Sequence, residues 1–294
     1  MKQAILILGY QDINNIIRII HYFDDCFEFY IHIDKKSKAD LSRLYTIKNK
    51  SINIYRKYVV NWGGIFFMKV ALFLVKKALE NDSNKYFHLI SEQDFPIKPL
   101  HYFYDLAKEN KNYLVFEKLP KKVWDGNGGL DRIHYYHFND FFNARKFGHG
   151  KILNLLVRLQ KKLKIKRSYE EHLPQLYGGS MWWSLTREVL QYVIKESENN
   201  SFLKNRLNYT LLPDEIYFQT ILVNSPYLKN IINDNLRYID WTYRGGSRPA
   251  FLDMSDYNNL ITSNKIFARK FNENSQVLID KLNEIIKYEK NFIN

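Results

Sequence analysis

Two adjacent carboxylates, Asp214 and Glu215, are candidate functional groups because a carboxylate can accept or donate a proton. They follow Pro213, which suits the first turn of a helix because its missing N–H leaves no hydrogen bond unmade there. The positive end of the helix dipole also favours carboxylates in that turn. Apolar residues from Phe218 onward continue at helical spacing. The pattern predicts carboxylates at the mouth of a helix, either as functional groups or as ordinary helix-start residues.

Other candidates lie where predicted strands end. Asp34 directly follows an apolar run, either as a ligand-binding group or as a solvated turn residue. Trp62 and Gly63, with Gly64, form a turn in which the glycines allow a ligand to approach the backbone. These positions predict a small-ligand site at one edge of a sheet.

A second group of candidates combines acids, tryptophans and a cationic loop. Glu92 and Asp94 follow a buried strand at the place where many nucleotide-sugar enzymes bind a divalent ion. Because the chain has no Asp-x-Asp motif, a metal at this pair is the lesser alternative to a site without metal. Ser180 precedes Trp182 and its neighbouring tryptophan, whose side chains point to opposite faces of a strand. We therefore expect one tryptophan in the core and one beside a cleft. Residues 243–249 are glycine-rich and cationic and can wrap an anion.

The elements that must position these residues alternate between strands and helices. The predicted strands are residues 4–9, 27–33, 51–58, 86–90, 112–117 and 236–241. The predicted helices are residues 13–23, 66–79, 99–109, 151–166, 187–196 and 275–288. This order predicts an α/β sheet with ligands beyond the carboxyl ends of its strands. No linker or repeat interrupts it, so we expect a single domain over residues 1–294, with residues 274–294 as its C-terminal helix.

The composition excludes several classes of protein. A hydrophobic content of 46% over 294 residues argues against disorder. The net charge of +13 suggests an anionic partner, such as a nucleotide, a polyanion or an acidic membrane. The one cysteine, Cys26, excludes an internal disulfide and favours a reducing compartment. No apolar run reaches the ~20 residues of a membrane span. The basic amphipathic helix predicted at 151–166 fits either a membrane-surface helix or a solvated face beside a buried stripe.

The ordered set of motifs resembles the core-2/I-branching N-acetylglucosaminyltransferases and their xylosyltransferase relatives. The matching pieces are Ile-His-Ile-Asp-Lys-Lys-Ser at 31–37, Trp-Gly-Gly at 62–64, Gln-Asp-Phe-Pro-Ile at 93–97, Gly-Ser with Trp-Trp at 179–183, Pro-Asp-Glu at 213–215, Tyr-Ile-Asp-Trp at 238–241 and Phe-Ala-Arg-Lys-Phe at 267–271. The resemblance implies a GT-A-like (Rossmann-like) α/β fold in which a mixed sheet is flanked by helices. It also implies an inverting transferase that uses a UDP-sugar and no metal.

The resemblance assigns a role to several positions. It implies Glu215 as the catalytic base, Arg248 and Lys270 as donor pyrophosphate ligands, Asp34 at the nucleoside, and Trp241 and Tyr243 at the acceptor. The other cleft candidates are Trp62, Gly63, Asp94, Ser180, Trp182 and Asp214. A single base suffices for an in-line displacement, and the two cations replace the divalent ion that usually neutralises the departing UDP.

We expect a β linkage from UDP-N-acetylglucosamine to a glycan or lipid-linked saccharide acceptor, without nucleic acid. The alternatives are a UDP-xylose or glucuronyl donor, a transferase that binds UDP without transferring, and a non-catalytic basic protein that binds polyanions. The last alternative predicts steep salt dependence. We expect a cytoplasmic location, with attachment to the inner face of an anionic membrane as an option.

Overall fold

The computed structural model describes residues 1–168 and 173–293, with side chains through Glu284, so the last residue of the predicted C-terminal helix, Asn294, lies outside the described residues. The strands are β1 (Lys2–Gly9), β2 (Phe27–Ile33), β3 (Ser51–Tyr55), β4 (Asn84–Ser91), β5 (Asp94–Pro96), β6 (Asn112–Leu114), β7 (Glu117–Lys118), β8 (Tyr177–Gly178), β9 (Trp183–Thr186), β10 (Ile231–Ile232), β11 (Arg237–Ile239) and β12 (Phe267–Arg269). The α-helices are α1 (Ile13–Tyr22), α2 (Ser42–Tyr45), α3 (Phe66–Leu79), α4 (Leu100–Glu109), α5 (Asp125–Gly128), α6 (Asp131–His134), α7 (His149–Lys162), α8 (Arg187–Asn199), α9 (Ser201–Arg206), α10 (Tyr217–Val223), α11 (Tyr257–Thr262) and α12 (Gln276–Ile293).

The main sheet is mixed. Within the described residues its seven strands follow the order β10-β6-β9-β4-β1-β2-β3. Strands β3, β2, β1 and β4 are parallel, whereas β9 is antiparallel to both β4 and β6. The predicted mixed α/β sheet flanked by helices is confirmed. None of the helices in the described part of the chain has the length and apolar composition to cross a membrane.

Alternating side chains of β1 explain why helices cover both faces of the sheet. Ala4, Leu6 and Leu8 pack with α3, α8 and α10, whereas Ile5 and Ile7 pack with α1, α4 and α12. Successive residues of a strand point to opposite faces, and both faces of this strand are buried. A central strand that is covered on both sides reads as a continuous apolar run, which is why the sequence predicted it.

The parallel strands bring several chain turns to one edge. The carboxyl ends of β1, β2, β3 and β4 lie together at this edge because these strands share one direction. Strand β9 runs the other way, so the segment before it, residues 179–182, reaches the same edge. The predicted ligand-side edge therefore collects Asp34, the turn at residues 60–64, Glu92 and Ser180.

A buried arginine joins a second, three-stranded sheet, β11-β12-β5, to the main one. The guanidinium of Arg237 donates to the carbonyl oxygens of Leu89 (2.9 Å) and Trp183 (3.1 Å) and to Ser184 Oγ (3.1 Å). These bonds satisfy Nη1 and Nη2 of a cation that is 4% exposed, whereas its Nε has no partner among the described residues. Arg237 thereby holds β11, and β12 beside it, against the ligand-side edge.

The sequence missed two strands of this second sheet, β5 and β12. The stretch around Phe267 forms β12, which is parallel to β11 and antiparallel to β5. Its three residues are too few to show a periodic pattern, and it pairs with segments distant in sequence. The strand predicted at 112–117 is also shorter than expected, because β6 ends at Leu114.

Candidate active site

The two carboxylates lie in a 3₁₀ turn of their own, Pro213–Glu215, and not in the first turn of α10. Ile216 leaves helical geometry (φ −122°, ψ −38°) and separates the turn from the helix, so the prediction of one continuous helix is wrong at this point. Ile216 is fully buried, whereas Glu215 keeps 29% of its side-chain exposure. The break lets one residue enter the core while its neighbour faces the ligand-side edge.

An arginine far away in sequence holds the Glu215 side chain. Arg132 Nη1 donates to Glu215 Oε2 at 2.8 Å. The guanidinium carbon of Arg132 lies 3.8 Å from the centre of the Trp124 ring, a cation–π stack that fixes the arginine. Burial raises the pKa of Glu215, and the charges of Arg132 and Lys121 oppose that rise. A carboxylate with a raised pKa is a better general base than an ordinary one.

Asp214 has a different environment from its neighbour. Its side chain is buried, and within the described residues its Oδ1 has no hydrogen-bond partner. Burial, and then the charge of Glu215, raise the pKa of Asp214 well above its ordinary value. Two adjacent carboxyls in unlike surroundings are thereby driven toward different protonation states, with Asp214 as the neutral one.

The segment before β9 contacts the carboxylate turn. Gly179 N donates to Glu215 O at 2.8 Å, and Ser180 O accepts from Gln219 Nε2 at 2.6 Å. A Cβ at Gly179 would lie 1.8 Å from Val115 O, so a side chain at this position would displace the backbone. This close packing fixes the carbonyl side of Glu215 against the end of β6.

The same segment leads from the carboxylate turn to a pair of cations. Trp182 lies under Arg269, whose guanidinium carbon is 4.5 Å from the ring centre. Trp183 instead packs in the core against Phe218, with ring centres 5.4 Å apart. Trp182 is 7% exposed and belongs to the same apolar cluster as Trp183, so its predicted place beside a cleft stays a prediction.

Lys270 and the neighbouring Arg269 are held in a partly desolvated position at the end of β12. Arg269 is opposite Asp94 in the strand pairing, and its Nε is buried without a partner among the described residues. Burial, then the charges of Arg269 and Arg145, lower the pKa of Lys270, while Asp94 opposes this change. The two adjacent cations repel each other, and a bound phosphate would offset that repulsion. The sequence reading assigned no role to Arg269, although it stands beside Lys270 in the same motif.

The loop with Arg248, Trp241 and Tyr243 lies in solvent. Trp241 and Tyr243 are 62% and 74% exposed, and Arg248 Nε donates to Trp241 O at 3.1 Å. The other cation of this loop, Arg244, pairs with Asp256 at 2.5 Å. Within the described residues no hydrogen bond, ion pair or ring contact joins Arg248, Trp241 or Tyr243 to Glu215 or Lys270. The proposed acceptor and pyrophosphate roles of this loop stay predictions.

Asp34 anchors the turn between β3 and α3. Its Oδ1 accepts from Lys36 N (3.0 Å) and its Oδ2 from Val60 N (3.3 Å), and the Lys36 ammonium lies 3.2 Å from Oδ2. The side chain is therefore engaged by the protein at the carboxyl end of β2. Its predicted contact with a nucleoside stays a prediction.

The Trp62–Gly63–Gly64 turn lies directly on the carboxylate turn. Leu212 N donates to Gly63 O at 2.9 Å, and Gly63 has a φ of 77° that suits glycine. A Cβ at Gly64 would lie 2.1 Å from an oxygen of Asp140, which accepts from Ile65 N at the start of α3. Trp62 stays 41% exposed beside this contact. Asp140 lies in no motif, so the sequence offered no signal for its role.

The acids considered for a metal point to different partners. Glu92 Oε2 accepts from the backbone N–H groups of Gln11 (2.8 Å) and Asp12 (3.1 Å). Asp94 Oδ2 accepts from Ser91 N at 2.8 Å. Among the side chains described, those of residues 1–168 and 173–284, no three His, Cys, Asp or Glu cluster as a metal site would require. The expected absence of a metal stays a prediction.

Comparison with known proteins identified one matching family model and several remote relatives. The model described as Core-2/I-branching enzyme matches residues 4–262. Xylosyltransferase sqv-6 of Caenorhabditis briggsae is 26% identical over 234 residues, which cover 76% of this chain and 26% of that protein. Xylosyltransferase 2 of Rattus norvegicus is 27% identical over 240 residues, 78% of this chain and 25% of that protein. The chain thus spans about a quarter of the length of these curated relatives. The crystal structure of mouse xyloside xylosyltransferase 1 aligns over 94% of this chain with a TM-score of 0.41 and 8% identity.

Proposed function

Because the chain belongs to the Core-2/I-branching enzyme family, we propose that it is an inverting glycosyltransferase that moves a sugar from a UDP-sugar to a glycan hydroxyl. One observation carries the proposal. The segment at residues 179–182 connects Glu215, through Gly179, to the cation pair of Arg269 and Lys270, through Trp182. A base for an acceptor hydroxyl and positive charge for a diphosphate are the two requirements of such a transfer.

The proposed reaction is one in-line displacement. Glu215 takes the proton of the acceptor hydroxyl while that oxygen attacks the anomeric carbon of the donor. The bond from the anomeric carbon to the β-phosphate oxygen breaks, and its electron pair leaves with UDP. Lys270, with Arg269 beside it, stabilises the charge that develops on the diphosphate. Attack from the face opposite to the leaving group converts an α-linked donor into a β linkage.

For the donor sugar we propose xylose ahead of N-acetylglucosamine. The two relatives described above are named xylosyltransferases. Their names support UDP-xylose, the alternative donor, better than UDP-N-acetylglucosamine. The acceptor is proposed only as a glycan or lipid-linked saccharide.

A thermal-shift panel tests the proposal. A ligand that binds only the folded protein raises the melting temperature. We expect UDP and one UDP-sugar to raise it in EDTA, with UDP-xylose giving the larger shift and uridine a smaller one. The matched control is the same panel on Lys270→Ala, which should respond less to UDP than the parent protein does.

The other outcomes separate the alternatives. The largest shift with UDP-N-acetylglucosamine or UDP-glucuronic acid would replace xylose as the donor and leave the reaction class standing. A response only after Mn²⁺ is added would contradict metal independence. If no UDP compound changed the melting temperature while heparin did, the protein would be a polyanion-binding module and the proposal would fail.

Replacing Arg132 with methionine is expected to move the acidic limb of the pH–rate profile to higher pH. Arg132 lowers the pKa of Glu215, so removing its charge allows burial to raise that pKa further. A base must be ionised to accept a proton, so activity should then require a higher pH. An opposite charge within hydrogen-bond distance is typically worth about 1–3 pKa units. The measurement is kcat/KM against pH.

Two further variants show whether charge is the cause. Lys121→Met removes the weaker, second cation near Glu215 and should shift the limb less. Arg132→Lys retains the charge but loses the planar stack on Trp124, and should restore most of the profile. An unchanged acidic limb in Arg132→Met would mean that Glu215 does not control the rate.

A further inference from the structure

Helix α7 presents an apolar stripe to solvent. It packs on the protein through Leu153 and Gln160, which are buried, and Gln160 Oε1 accepts from Tyr136 N at 2.8 Å. Along another side lie four exposed apolar residues at spacings of three and four, which makes them neighbours on one helix face. They are Ile152 (41% exposed), Leu155 (56%), Leu159 (43%) and Leu163 (65%). The sequence predicted one buried apolar stripe on this helix, but the tertiary packing buries Leu153 and leaves Leu159 and Leu163 exposed.

The same part of the chain has a large net positive charge. Residues 141–168 contain nine Lys and Arg and no Asp or Glu, against a net charge of +13 for the whole chain. Lys161 pairs with Asp131, and Arg167 donates to Arg206 O. Among the described residues, the other seven cations of the segment have no ion-pair partner: Arg145, Lys146, Lys151, Arg158, Lys162, Lys164 and Lys166. The next acids along the chain, Glu170 and Glu171, lie outside the described residues.

We propose that this face of α7 binds the surface of an anionic lipid bilayer, with the helix lying in the plane of the interface. The helix face is defined as the stripe Ile152, Leu155, Leu159 and Leu163. An apolar stripe flanked by Lys and Arg is the pattern of interfacial helices, in which the stripe enters the boundary of the headgroups and the cations meet anionic lipids. Phe147, fully exposed just before the helix, adds an aromatic side chain at the same end.

Charge and composition favour a bilayer over other occupants of this helix face. A second copy of the chain would bring two segments of the same positive charge together, which opposes association. A nucleic acid would pair with the cations but would leave the apolar stripe in water. A bilayer of anionic lipids satisfies both parts of the surface.

The segment before α7 joins this surface to the candidate active site. Arg145 lies close enough to Lys270 for its charge to lower the pKa of that lysine. A bilayer bound to α7 would therefore lie near the cations that we propose for the donor. This consequence, a membrane-embedded acceptor close to Glu215, rests on the proposed function, whereas binding of the bilayer does not.

The test is co-sedimentation of the full chain with vesicles, without any sugar donor. The vesicles are phosphatidylcholine alone or an equimolar mixture with phosphatidylglycerol. We expect binding to the mixed vesicles only, and weaker binding as salt increases. A triple variant combines Lys151→Gln, Arg158→Gln and Lys162→Gln. It should reduce the partition coefficient by about a hundredfold, since each cation near a charged surface contributes roughly fivefold. Leu155→Ser with Leu159→Ser should reduce it by about tenfold.

Matched variants elsewhere on the surface make the result specific. The control variant combines Lys85→Gln, Lys195→Gln and Lys229→Gln. It removes the same charge from other exposed positions and should retain most of the binding to anionic vesicles. Equal binding to neutral and anionic vesicles, or an equal loss in this control, would overturn the proposal. The proposal would also be overturned if sedimentation velocity showed a dimer and the variant with Leu155→Ser and Leu159→Ser were a monomer. The occupant of the helix face would then be a second copy of the chain. All substituted side chains are exposed, and an unchanged melting temperature verifies that each variant is folded.

Discussion

Replacing Glu215 with glutamine is expected to lower kcat by about 10³-fold, because the acceptor hydroxyl then has no base and general-base catalysis typically contributes 10²–10⁴. Glutamine has nearly the same shape, and its amide oxygen can still accept from Arg132 Nη1. UDP affinity should stay within about threefold, since the change leaves Lys270 and Arg269 in place. The measurements are single-turnover transfer from the donor that the thermal-shift panel identifies and UDP binding by calorimetry.

Asp214→Asn is the matched control for this experiment. It removes the neighbouring carboxyl in the same turn, again with little change of shape. Because burial and the charge of Glu215 raise its pKa, Asp214 should be mostly neutral in the active protein, and asparagine resembles that neutral form. We expect a loss of no more than about tenfold, in the lower part of the range for a lost hydrogen bond. If Asp214→Asn instead abolished transfer while Glu215→Gln retained it, the base would be Asp214.

The second large effect is expected for Lys270→Ala, which should reduce kcat/KM by about 10²–10³-fold. Lys270 is half-buried, and burial together with Arg269 and Arg145 lowers its pKa. A diphosphate bound there would meet a poorly hydrated cation, which interacts more strongly than one in bulk water. Affinity for UDP should fall much more than affinity for uridine, because only UDP carries the phosphates. Calorimetric titration with both ligands measures the difference.

Arg248→Ala tests whether the exposed arginine contributes as much as the half-buried Lys270. The resemblance assigns Arg248 and Lys270 the same role, but Arg248 is exposed and its Nε donates to Trp241 O. A solvated arginine should contribute less, so we expect a loss of no more than about tenfold in kcat/KM. A loss as large as that of Lys270→Ala would instead indicate that the loop at residues 243–249 closes over the donor. Equal affinity of Lys270→Ala and the parent protein for UDP would contradict the phosphate role of Lys270.

Local pattern was sufficient for most of the fold. The bounds of β2 and α3 agree with those predicted, and β1 and α1 differ by no more than two residues at an end. Periods of two and of three to four residues are set by the geometry of the element itself, so they can be read without knowing its neighbours. The break at Ile216 and the short strand β12 were not visible in this way, because tertiary packing and pairing with distant segments determine them.

The sequence by itself determined the class of the sheet, the edge at which ligands are expected, and Glu215 and Lys270 as the residues to test. Only the tertiary structure decided what surrounds those residues. Arg132 meets Glu215 across 83 positions of sequence, and Trp182 meets Arg269 through the pairing of two sheets. Likewise, a helical wheel of α7 cannot tell which apolar side chains are buried, and packing against Tyr136 selects the side with Gln160. Spacing along a chain records which residues share an element, whereas pKa values, ion pairs and exposed faces depend on which elements become neighbours in space.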